Sequence, residues 1–264
     1  MPNREQKMKI LFLGDIVGSA GRKVVKENLP ELIKQYKPDF VIANAENAAG
    51  GYGLTEKVAE ELFSYGIDLL TTGNHVWKKE FIPYLQKTER VVRPANYGPG
   101  APGKGWSVIT KGNLKLAVIN LEGRIFMRPL ENPFIVGKNL AESLKKETPY
   151  IIVDFHAEAT SEKMALGYFL DGSVSAVLGT HTHVQTSDER ILANGTAYIT
   201  DVGMCGSQES IIGMKISQAF ELYITLVGRR LEVETSPPYK LEGVYLELQE
   251  DGKAKEIKRL RIIA

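Results

Sequence analysis

Five hydrophobic runs in this chain stop at short segments of Asp, Glu, Asn or His, and that repeated boundary constrains the fold more than any other feature. The runs are MKILFLGD (8–15), DFVIANAEN (39–47), IDLLTTGNH (67–75), YIIVDFHAE (150–158) and SAVLGTHTH (175–183). Between the first three lie stretches of helical period. One is RKVVKENLPELIKQYK (22–37), interrupted by Pro30; the other is TEKVAEELFSYG (55–66), with Val58, Leu62 and Phe63 apolar and Gly66 as C-cap. Nearly continuous apolar strands that alternate with helices argue for an α/β fold whose parallel sheet is covered on both faces. In such a sheet, ligands gather outside the carboxyl ends of the strands. The polar segments fall at those ends.

The rest of the chain is less regular. From Arg93 to Asn139, Pro- and Gly-rich stretches and the aromatic RIFMRPLENPFIVG surround one strand-like run, LKLAVINLEG (114–123). We expect loops flanking a strand, with a small flap inside 93–139. ATSEKMALGYFLDG after His156 is of helical character. Beyond Ala197, AYITDVG, AFELYITLVG, GVYLELQED and AKEIKRLRII follow without long helices between them, which favours an antiparallel second sheet. No repeat or linker divides the sequence, so residues 1–264 are expected to form one domain.

Composition narrows the function. Hydrophobic residues make up 43% and charged residues 25%, enough for a full core. A net charge of +1 provides no global basic field, so general nucleic-acid binding is not expected, while a small phosphate ligand is compatible. The lone Cys205 excludes an intrachain disulfide framework and reads as a buried or loop thiol rather than a nucleophile. The apolar N-terminal run is too short for a signal-peptide core, and no stretch approaches a membrane span. A soluble cytoplasmic protein is expected.

The four histidines, His75, His156, His181 and His183, all sit at these strand ends, and neutral imidazole is the commonest side-chain ligand of transition metals. Asp15, Glu46, Asn44, Asn47 and Asn74 share the same segments. Singly, these residues have plainer roles. Asp15 reads as an Asx-turn residue, His156 as a packed strand end, and Asn44 and Asn74 as satisfying loop backbone. The His-x-His pair is different, since alternate residues on a strand point to one face. Taken together the donors are too many for one tetrahedral zinc and include no thiolate. They suit a pair of N/O-coordinated ions such as Mn, Fe, Co or Zn. Two such ions clamp both oxygens of an in-line displacement at phosphorus. Gly18 and Gly21 fit no phosphate-loop spacing.

In order, GDIVG, NAEN, GNH, a His after a hydrophobic strand, and GTHTH resemble the calcineurin-like metallophosphoesterase superfamily. More narrowly, LFLGDIVGSAGR, NAENAAGGYG, TTGNHVW, RPANY, HAEATSEK, GTHTHVQT and YITDVGM resemble the YmdB-like phosphodiesterases, over roughly residues 8 to 262. The resemblance implies a four-layer αββα sandwich with mixed sheets and a dimetal site at the strand ends. It implies Asp15, Asn47 and His183 on one metal, Asn74, His156 and His181 on the other, and Glu46 bridging. The first-motif histidine of the superfamily is missing after Asp15, and Glu46-Asn47 replaces its Gly-Asp-x-x-Asp. The ions expected are iron or manganese, with zinc or cobalt as alternatives.

The implied activity is hydrolysis of a small phosphodiester, 2′,3′-cyclic nucleotides first, by metal-activated hydroxide with His75 as general acid. Rival readings are a phosphomonoesterase or protein phosphatase on the same scaffold, and a metal-dependent regulator that binds a nucleotide or RNA end. Arg93 and Arg124 are candidates to grip phosphate. Tyr97, Phe126 and Phe134 are expected to pack the flap rather than stack on a base, and Lys163 to be solvated. A homo-oligomer is compatible with the resemblance.

Overall fold

The computed structural model describes residues 7–228 and 230–264. In chain order the elements are β1 (Met8–Leu13), β2 (Asp15–Ile16), α1 (Gly18–Tyr36), β3 (Phe40–Asn44), α2 (Glu56–Ser64), β4 (Leu69–Thr71), α3 (Ile82–Leu85) and β5 (Val91–Val92). Next come β6 (Trp106–Lys111), β7 (Leu114–Glu122), α4 (Pro133–Leu144), β8 (Ile151–His156), α5 (Thr160–Phe169) and β9 (Ala176–Thr180). The last are β10 (Arg190–Ile191), β11 (Ala197–Ile199), β12 (Met204–Ser207), α6 (Ile216–Thr225), β13 (Tyr239–Leu248) and β14 (Ala254–Ile263).

Two mixed sheets result. The first runs β2-β12-β13-β1-β3-β4-β5, with β14 on β13; β1, β3, β4 and β5 are parallel, and β13 is antiparallel to β1. The second runs β10-β11-β9-β8-β7-β6, parallel through β7, β8, β9 and β11 with antiparallel strands at both edges.

Period-two alternation explains why the strands are apolar on both faces. On β1, Met8, Ile10 and Phe12 point between the sheets, where they meet Leu116, Val118 and Ile152 of the second sheet. Leu11 and Leu13 point the other way, onto Val24, Val25 and Leu29 of α1 and Leu62 of α2. The second sheet repeats the pattern, with Ile151, Val153 and Phe155 packed against Ala141 and Leu144 of α4 and Leu166 of α5. The layers are therefore helix, sheet, sheet, helix, the αββα sandwich. Each fully buried large apolar side chain contributes about 1.5–3 kcal/mol. Among the described residues no helix is long and apolar enough to cross a membrane.

Four local expectations are corrected. AFELYITLVG (219–228) is not a strand: α6 takes in its residues 219–225, and Ala219 is that helix's one buried residue. The C-terminal strands β13 and β14 build no second sheet of their own but extend the first, because β13 pairs with β1 along its length. The 93–139 segment holds a β6–β7 hairpin and the first turns of α4 rather than a single strand between loops. Asn132 caps α4 through its side chain, with Pro133 just inside. Pro30 lies within a continuous α1, which also starts four residues earlier than expected.

Candidate metal centre

Parallel order places the carboxyl ends of β1, β3 and β4 on one side of a gap and those of β8 and β9 on the other. Asp15 opens β2 after a one-residue gap from β1, Glu46 and Asn47 lie in the turn after β3, and Asn74 and His75 in the turn after β4. His156 is the last residue of β8, paired across to Thr180 of β9, and His181 and His183 follow β9. All eight converge. Asp15, Glu46 and His156 are fully buried, and Asn47 and His183 nearly so. Asn44 shapes the turn: its amide donates to the Thr72 carbonyl and to Asp154, and its oxygen accepts from the Glu46 N–H.

The donor atoms form two groups that share Glu46. In the first, one ligand atom each of Glu46, His156 and His181 lies within 4.8 Å of the others. His156 Nε2 is 3.1 Å from Glu46 Oε1, 3.0 Å from Asn74 Oδ1 and 3.0 Å from His181 Nδ1. In the second, His183 Nε2 is 3.6 Å from Asp15 Oδ1 and 3.2 Å from the Asn47 amide nitrogen, which also donates to Glu46 Oε1 at 3.0 Å. The Asn47 oxygen faces His75 Nδ1 at 2.7 Å. A half-turn of the amide exchanges these two atoms.

Outer hydrogen bonds fix each ring. Thr180 Oγ1 donates to Asp154 and so accepts from His156 Nδ1–H, leaving Nε2 toward the gap. Asp154 is anchored in turn by Thr71 and Asn44. His183 Nδ1 donates to the Ile212 carbonyl, and His181 Nε2 lies 3.0 Å from Glu158. His181 and His183 adopt φ of 95° and 63°, left-handed backbone that non-glycine residues rarely take.

The electrostatics favour a cation. Burial pushes the Glu46 carboxyl up, but His156 and His75 outweigh it and hold it well below the usual carboxylate range. Burial alone would lower His156, yet Glu46, Asp15 and Asp154 raise it to about 9. Burial and the neighbouring positive His156 push His181 down to about 3, a neutral ring with a lone pair to give. Asp15 is raised by burial against the pull of His183 and His156, and its Oδ1 is buried with no hydrogen-bond partner. A buried carboxylate oxygen without a hydrogen-bond partner, set among imidazole nitrogens, fits the donor chemistry of a transition-metal site. Gly73 leaves the room: a Cβ there would lie 2.3 Å from Glu46 Oε2 and from His156.

Residues farther out differ from expectation. Arg93 does not offer a phosphate grip, because its guanidinium donates to the carbonyls of Pro94, Ala101 and Pro102 and fastens that loop. Arg124 is exposed, and it is its backbone N–H that is held, by Glu162. Lys163 is not solvated. It is 1% exposed and donates to Asp201 at 2.9 Å and to Thr182 at 3.2 Å, while Asp201 also accepts from the Thr182 backbone N–H. That buried pair sets the loop carrying His181 and His183. Tyr97 stacks edge-on with Trp77, and Phe134 with Phe169, but Phe126 is 88% exposed rather than packed. Cys205 is buried in β12, its thiol pushed up to about 12 by burial.

Sequence reasoning also missed a cleft at the mouth of the centre. Tyr52, His75, Lys78, Lys79 and Arg230 line a cavity of about 370 Å³. Tyr52 meets the His75 ring edge-on at 5.1 Å, and the Arg230 guanidinium lies 5.4 Å from the Tyr52 ring centroid.

The chain is similar to known proteins along nearly its full length. The chain is 49% identical over 257 residues, 97% of each chain, to a Bacillus subtilis protein named 2′,3′-cyclic-nucleotide 2′-phosphodiesterase. The crystal structure of a novel phosphatase of Mycoplasma pneumoniae superposes with a TM-score of 0.92 at 38% identity, covering 98% of this chain and 94% of that one. A hypothetical protein of Thermus thermophilus gives 0.89 at 41% identity, covering 97% and 99%. The YmdB-like protein family model matches residues 11–260. With its metallophosphoesterase fold and phosphoester-hydrolase relatives, the chain is a hydrolytic enzyme and belongs to the YmdB-like family.

Proposed function

We propose that this enzyme opens 2′,3′-cyclic nucleotides at a two-metal centre, with residues 1–264 acting as one domain. The convergence of Glu46, His156 and His181 beside the unpartnered Asp15 Oδ1 carries the reading; the 49% identity to a 2′,3′-cyclic-nucleotide 2′-phosphodiesterase supports the substrate class. Asp15, Asn47 and His183 would hold one ion, Asn74, His156 and His181 the other, and Glu46 both. Iron or manganese suits these oxygen and nitrogen donors. Bound there, the ions would supply Lewis acidity toward phosphate and a reactive water near neutral pH.

The chain's own residues do the rest. His75 stands between the centre and the cleft. Its Nδ1 is held by Asn47 and lies 3.3 Å from Glu46, and among the described residues Nε2 has no hydrogen-bond partner. Protonated, it can hand a proton from Nε2 to the ribose oxygen as the P–O bond breaks; water adds to phosphorus, and its released proton restores the imidazolium. An alkoxide is a poor leaving group, so this transfer carries much of the rate.

The test is the initial rate of 2′,3′-cyclic AMP hydrolysis by manganese-loaded protein, with Glu46→Gln alongside. Wild type should turn over, and the variant should fall by more than about a hundredfold. Absence of wild-type turnover with metal bound would sink the reading. Preference for a phosphomonoester would replace it with the phosphatase alternative, which the phosphatase described from Mycoplasma pneumoniae favours.

A further inference from the structure

The cleft beside His75 has a composition that the reaction on a simple cyclic nucleotide does not use. Two loops carry both sites. The turn that presents Glu46 and Asn47 continues to Tyr52, and the turn that presents Asn74 and His75 continues to Lys78 and Lys79. They touch at Gly53, where a Cβ would meet the Lys79 and Lys78 side chains and the His75 carbonyl. Arg230 closes the third side, over Tyr52. Three cations and no carboxylate therefore line the cavity, and among the described residues none of the three forms an ion pair. Like charges gathered in a cleft repel each other unless an anion joins them. A 2′,3′-cyclic nucleotide carries a single negative charge on the phosphate that reacts, so it leaves this cluster unanswered.

We infer that Lys78, Lys79 and Arg230 form a second phosphate subsite, which takes a phosphate on the 5′ oxygen of the nucleoside whose cyclic phosphate is opened. The inference rests on the proposed cyclic-phosphate reading for which group lies at the centre. The preferred substrate then carries two phosphates. The second is either a free 5′-phosphate or the internucleotide diester of an oligoribonucleotide that ends in a cyclic phosphate. Lysine and arginine both bind phosphate, arginine also through a bidentate fork, and Tyr52 braces the Arg230 plane.

Rates on three substrates test this: 2′,3′-cyclic AMP, its 5′-phosphorylated form, and the dinucleotide ApA with a 2′,3′-cyclic end. At low salt kcat/KM should rise by about tenfold or more when the second phosphate is present, and the gain should shrink as salt screens it. In Lys78→Ala/Lys79→Ala the ratio between substrates should fall to within about twofold of unity. A gain on both phosphorylated substrates supports the subsite for either source, and a gain on the dinucleotide alone assigns it to an RNA end. Equal rates in wild type, or a preference that survives the double variant, would overturn the inference. Calorimetry with adenosine 3′-phosphate and adenosine 3′,5′-bisphosphate is the second readout. The bisphosphate should bind wild type about tenfold tighter and lose that margin in the variant. If wild type hydrolyses none of the three, the proposed function fails, and the binding pair still judges the cleft; equal affinities reject it.

Discussion

The two sheets bring opposite chemistry to one gap. Asp15, Glu46, Asn47, Asn74 and His75 come from the first sheet, a set dominated by carboxylate and amide oxygen. His156, His181 and His183 come from the second, three imidazoles. Alone, the first set would bury two carboxylates without a counter-charge, and the second would place His156 against His181 with nothing to separate them. Across the gap, Glu46 meets His156 at 3.1 Å and Asp15 meets His183 at 3.6 Å. The pairing shows that the centre belongs to the sandwich rather than to either sheet, because a buried charge is tolerated only when its partner is delivered with it.

If the halves divide the work, variants in each should fail differently. His75→Ala, on the oxygen-rich side, should keep its metal by elemental analysis while losing about 10²–10⁴-fold on cyclic nucleotides. On an activated aryl diester the loss should be much smaller, since that leaving group needs no proton; equal losses would remove His75 from the acid role. Lys163→Met, under the imidazole side, strands the buried Asp201. It should cost about 3–5 kcal/mol in denaturant unfolding, whereas a change below about 1 kcal/mol would mean that the pair is replaceable. Thr180→Val, on the same side, frees the His156 ring from its acceptor. Metal affinity in a competition titration should drop about 10–100-fold, with turnover at saturating metal much less affected. A Thr180 variant that lost rate but not affinity would erase the distinction between the halves.

The strand ends were legible in the sequence because both signals there are local. Each of the five apolar runs became a strand, and each polar stop reached the centre. What stayed hidden depends on distant partners. Lys163 looks like any helical lysine, and its counter-ion lies 38 residues away. Arg93 was readable as a free guanidinium until the 94–102 loop folded its carbonyls around it. The cleft joins residues 52, 78, 79 and 230, which no spacing rule links. The misread α6 has another cause. Its short run of β-branched and aromatic residues has no decisive period, and most of them, Phe220, Tyr223 and Ile224 among them, face out, so burial leaves no stripe to read.

The left-handed backbone at His181 and His183 has a further consequence. Such conformations cost a residue with a ring side chain about 1–3 kcal/mol apiece, and glycine would occupy them almost freely. If both imidazoles hold metal as proposed, these positions carry a reserve of heat tolerance that the enzyme cannot draw on. Robustness and hydrolysis pull in opposite directions at these two residues, so a descendant released from its chemistry should drift first at 181 and 183.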